Sequence, residues 1–122
     1  MTITFPIEMV IDHDALRWPQ DTIYMRHVMF RLMSILLERA EVAIERGELD
    51  LAMSHIEESL GDWHIELIQK GRYLAGQIEE RRQNPESALD WYAQVLEDEK
   101  FGGEVVQLAR NRTDELRAQG IH

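Results

Sequence analysis

From Asp21 onward, apolar residues recur at helical spacing, and glycine and proline break that pattern at only a few places. Met25, Met29, Leu32, Met33, Leu36, Ala40, Ala43 and Ile44 follow one another at intervals of three and four residues, which lines them along a helix face. Asp21 is placed to cap that helix and Gly47 to end it. Leu60-Gly61-Asp62 combines a terminating glycine with a new capping aspartate, Asn84-Pro85 is a cap followed by the proline favoured in a first turn, and Gly102-Gly103 is a break. The spacing therefore predicts helices over 21–47, 49–60, 63–83, 85–98 and 104–118. Corners this short make successive helices antiparallel neighbours. The expected fold class is all-α, antiparallel helical hairpins with a C-terminal capping helix.

Residues 1–20 read differently. Ile3, Phe5, Ile7 and Val10 lie in a β-branched, apolar stretch that Pro6 keeps out of any central strand, so an extended N-terminal arm is expected. It has no basic leader and does not resemble a secretory signal. The chain has 122 residues, enough for a single domain, and no cysteine, so it bears no mark of an oxidising compartment. A cytoplasmic location is the expectation.

The charge is uneven. The chain has 23 acids against 13 bases, a net of −10, and the whole excess lies in residues 38–99, where 16 acids face 6 bases. Such a chain is repelled by nucleic-acid backbones and anionic membranes, so neither is an expected partner.

Two segments that largely overlap that acidic stretch align at a spacing of 36. The first contains Leu36, Ala40, Ala43, Gly47-Glu48, Ala52, Ile56 and Ser59; the second contains Arg72, Ala75-Gly76, Asn84-Pro85, Ala88, Tyr92 and Val95. Small residues at these places let paired helices approach, and the larger ones plug the gap to the next pair. Over residues 34–98 the pattern resembles two units of the tetratricopeptide-repeat (TPR) family. That resemblance implies a right-handed array of hairpins, with 104–118 as the capping helix and a concave face built by the first helix of each pair. By position, this face would present Ser34, Leu37, Glu41 and Glu45 from the first unit and Lys70, Tyr73, Gln77 and Arg81 from the second. The partner implied is an extended peptide or helix with basic and apolar residues.

Other chemistry is thinly represented. There is no glycine-rich phosphate loop, no GxSxG and no cysteine nucleophile, so no catalytic residue or cofactor is assigned. His55 and Glu58 share a helix turn with His64 beyond the corner, but no HExxH or paired Glu-x-x-His accompanies them, and no metal is assigned. His27 reads as a core-edge residue, while His13 and His122 carry no signal.

The long helix is apolar on more than one side, so Met25, Met29, Phe30 and Met33 form a candidate partner or homodimer surface. The N-terminal arm, in cis or exchanged between protomers, is the competing cover. The sequence thus points to a non-catalytic protein-binding module, an adaptor or small chaperone. Its alternatives are a self-assembling structural or inhibitory homodimer and, more weakly, a metal-dependent enzyme.

Overall fold

The computed structural model describes residues 19–60 and 64–122, and the described residues form helices joined by short turns, with no strand. Five helices follow in order: α1 (Pro19–Glu45), α2 (Leu49–Ser59), α3 (Ile65–Arg81), α4 (Pro85–Glu97) and α5 (Glu104–Ala118). The all-α expectation holds, and each expected helix is present. The boundaries shift by a residue or two except at α5, which matches. Helix α1 starts at Pro19, so Asp21 lies inside its first turn rather than capping it, and residues 19 and 20 belong to the helix rather than to the arm. The extended segment, Gly61, Asp62 and Trp63 lie outside the described residues.

The chain divides into two compact units, Met1–Leu32 and Met33–His122. In the first unit, the described part is the amino-terminal portion of α1. There His27 is exposed rather than at a core edge, Met25 and Met29 are half-buried, and Phe30 is exposed.

The second unit has two apolar clusters. One joins Leu37, Ala40, Ala43 and Ile44 of α1 to Ala52, Met53 and Ile56 of α2 and to Leu74, Ala75 and Ile78 of α3. The other joins Ala88, Leu89, Tyr92 and Val95 of α4 to Val106, Ala109 and Leu116 of α5, with Tyr73 of α3 packed against it. Helix α3 thus serves both clusters, which its sequence permits because small and apolar residues occupy more than one face.

The 36-residue spacing is physical. At the end of α1, Gly47 has φ +79° and the Glu48 amide donates to the Ala43 carbonyl at 2.8 Å. At the end of α3, Gln83 has φ +67° and the Asn84 amide donates to the Glu79 carbonyl at 2.8 Å. Both are left-handed C-terminal caps closed by a six-residue hydrogen bond. Gln83 holds this conformation against the roughly 1 kcal/mol or more that a side chain costs there.

Asn84 does not cap α4 with its side chain. Its Nδ2 instead donates to Glu79 Oε1 at 3.1 Å, while Arg82 Nη1 donates to Glu79 Oε2 at 3.2 Å and Arg82 Nη2 to Asp50 Oδ1 at 2.5 Å. These bonds tie the α3–α4 turn to α2.

Close approach of the second pair rests on Gly76. A Cβ built on it would stand 2.8 Å from Tyr92 Cδ1 and Cζ, and nearer still to Cε1. Gly71 of α3 lies against the end of α2 at a less severe approach, its Cβ position 3.2 Å from Leu60 Cδ2 and 3.3 Å from Ser59 Oγ.

Candidate functional site

The eight positions assigned to the concave face occur at 36-residue intervals on α1 and α3, and the structure gives them unlike roles. Leu37 is 1% exposed and belongs to the first core cluster, so it is unavailable to a partner. Helix α1 turns it inward with Ala40 and Ile44, where burying a leucine side chain is worth about 2 kcal/mol. Met33 is corrected in the same sense: at 8% exposed it is core rather than a free surface.

The remaining positions stay at or near the surface. Glu41 and Lys70 join α1 to α3 through Nζ and Oε1 at 3.3 Å. Gln77 Nε2 donates to the Tyr73 hydroxyl at 2.9 Å, Arg81 Nη1 donates to the Ile44 carbonyl at 3.4 Å, and Glu45 is exposed. Ser34 is half-buried.

Two residues without a place in the sequence assignment, Glu80 and Arg112, anchor the other side of this region. The Glu80 carboxylate accepts from Tyr92 Oη at 2.5 Å and from Arg112 Nε at 3.1 Å, and it pairs with Arg112 Nη2. Arg112 Nη1 also donates to Glu115 Oε1 at 2.8 Å. Gln77, Glu80, Arg81 and Arg112 line a depression of about 180 Å³ between α3 and α5. Tyr73 adjoins it, its ring 5.8 Å from that of Tyr92. Arg112 stands one 36-residue step beyond Gly76, a close-packed position and not one of the eight on the face, so the repeat does not single it out.

Burial, then the Glu80 carboxylate, pushes the Tyr92 phenol well above its ordinary range. Burial raises Tyr73 as well, against the Gln77 amide, which favours the phenolate. The unfolded chain releases both protons near pH 10, while the fold retains them. Their contribution to stability is therefore complete below about pH 10 and falls as pH rises beyond it. The urea midpoint of unfolding should decline between about pH 10 and about pH 11.5, and less steeply in Tyr92→Phe. A midpoint that stays level over that interval contradicts this coupling.

Among the described residues, no group of three or more His, Cys, Asp or Glu side chains is arranged to hold a metal ion. No helix among them is long and apolar enough to cross a membrane. Comparison with protein-family models, with curated proteins and with solved structures finds no match to this chain.

Proposed function

We propose that residues 34–118 act as a TPR-like, non-catalytic binding module, an adaptor or small chaperone. The face made by α1, α3 and α5 docks an extended peptide or helix of another protein. The observation that carries this reading is the pair of equivalent turns at Gly47 and Gln83, 36 residues apart and closed by the same hydrogen bond. Repeated turns of this kind return α1 and α3 to equivalent places in successive hairpins, and α5 packs on both α3 and α4 as the next first helix would.

The side chains suit such a partner. Tyr73 supplies a rigid, amphipathic contact, Glu41 and Glu45 attract basic residues, and Gln77 and Arg81 offer donors to a peptide backbone. Glu80 and Arg112 satisfy each other and fix the floor beneath them.

A fluorescence-anisotropy screen of the full chain against synthetic peptides that alternate apolar and basic residues tests this. Saturable binding is expected, weakened about tenfold or more by Tyr73→Ala and by Glu45→Lys. Equal affinity of both variants and wild type rules the face out. Absence of saturable binding to any of the peptides, set beside acidic and purely polar controls, counts against the proposed partner chemistry.

A further inference from the structure

The first hairpin keeps an open apolar groove away from that face. Ile35, Val42 and Leu51 are 42%, 46% and 48% exposed, and with Ala43, His55 and the charged residues Glu38, Arg39, Arg46 and Glu48 they line a depression of about 440 Å³ between α1 and α2. The repeat explains why it is open. One 36-residue step on, Ile35 becomes Gly71, Glu38 becomes Leu74, Arg39 becomes Ala75 and Val42 becomes Ile78, and all four of these are buried where the second hairpin meets the first. The groove is the same surface of the first hairpin, and among the described residues no other helix packs over it.

We infer that a second copy of this chain covers the groove, forming a two-fold dimer across α1. Charge selects the occupant. Residues 38–99 hold 16 acids against 6 bases, yet the groove carries two of each sign, Glu38 and Glu48 against Arg39 and Arg46. Two chains of net charge −10 repel each other over most of their surfaces and meet with the least repulsion at this patch, whose formal charges cancel.

The order of residues along α1 is also self-complementary. An antiparallel pairing centred between Glu38 and Arg39 sets Ile35 against the partner's Val42 and Glu38 against the partner's Arg39, each contact occurring twice. This surface leaves the α1–α3–α5 face free for a peptide.

Sedimentation velocity of the full chain across micromolar concentrations tests the assignment. A reversible monomer–dimer equilibrium is expected. Val42→Glu should raise the dissociation constant about a hundredfold, and Glu38→Arg alone about tenfold. Glu38→Arg combined with Arg39→Glu should restore dimerisation, because the pairs are re-formed with their signs exchanged. Val42 is exposed, and a wild-type circular-dichroism melt of Val42→Glu separates loss of the dimer from loss of the fold. A wild-type chain that remains monomeric, as it would if another part of the chain or a different protein filled the groove, overturns the proposal. So does a dimer indifferent to Val42→Glu, or a double charge exchange that fails to rescue. Peptide binding by the opposite face is read separately by anisotropy, so the two can fail independently.

Discussion

Gly76→Ala is expected to lower stability by about 2–3 kcal/mol, although alanine is the better helix former by about 1 kcal/mol. The sign is set by Tyr92. Its ring lies across Gly76 so closely that an added Cβ would stand 2.8 Å from Cδ1 and Cζ. The ring has no room to retreat, since Tyr92 is fully buried, its hydroxyl is fixed to Glu80 at 2.5 Å and its face is backed by Tyr73 at 5.8 Å. The methyl group must therefore separate α3 from α4. For a domain of this size the loss corresponds to a fall in melting temperature of roughly 10–15 °C, read by circular dichroism. Tyr92→Leu removes the obstructing ring at its own cost in packing, and the alanine should then be tolerated far better on that background than on wild type. If Gly76→Ala melts at or above the wild-type temperature, the close approach of the two helices is not what holds this pair together.

Gly76 also marks how far the sequence leads. The helices were legible because apolar periodicity and the breaks at Gly47, Pro85 and Gly102-Gly103 are local properties. The repeat was legible because small residues recur where helices must approach, at Ala52 and Ala88 and at Ala40 and Gly76. At the α3–α4 turn one cap was misread and another carried no signal, each for a physical reason. Asn84 has the right residue type and place for an N-cap, but a buried carboxylate, Glu79, competes for its amide. Gln83 has no local preference for positive φ; the turn adopts it because the same six-residue closure is enforced by the packing of α3 on α4.

The candidate face was half legible. A positional pattern put Leu37 on it, but pattern alone does not fix the rotation of α1, and the three small neighbours Ala40, Ala43 and Ala52 draw Leu37 into the core they leave unfilled. Glu80 and Arg112 were hidden because their meaning is their pairing across 32 residues. Charge counts see one acid and one base, and only the tertiary arrangement makes them the partner of Tyr92.

The largest effect from a residue with no sequence signal is expected at Gln69. This side chain is fully buried in α3, and its Nε2 donates to the carbonyls of Val95 at 2.8 Å, Asp98 at 3.0 Å and Phe101 at 3.1 Å. With two hydrogens for three acceptors, one N–H is shared. Its Oε1 accepts from Arg72 Nη1 at 2.9 Å, and the same Arg72 nitrogen reaches Asp98 Oδ2 at 2.7 Å. One amide thus terminates α4 from outside and ties down the turn that launches α5. Gln69→Leu keeps most of the volume and removes the donor, leaving the Val95 and Asp98 carbonyls with one backbone N–H each and taking this donor from the Phe101 carbonyl, at a cost of about 3 kcal/mol. Gln69→Glu is the sharper probe: at neutral pH it sets a carboxylate against three carbonyl oxygens and should be worse than leucine. In acid, the protonated carboxyl regains one donor and the difference between the two variants should narrow. Urea midpoints of the three proteins at neutral and acidic pH measure this, and a leucine variant within about 0.5 kcal/mol of wild type would remove Gln69 from the account. The consequence extends to the candidate face. Helix α5 carries Arg112, so a loosened α4–α5 turn should release the Glu80 floor beneath Tyr73 and Gln77 before the first hairpin is affected. Amide exchange in the Gln69→Leu chain should accordingly quicken in α5 and at the end of α4, while the amides around Ala40 and Ile56 stay protected.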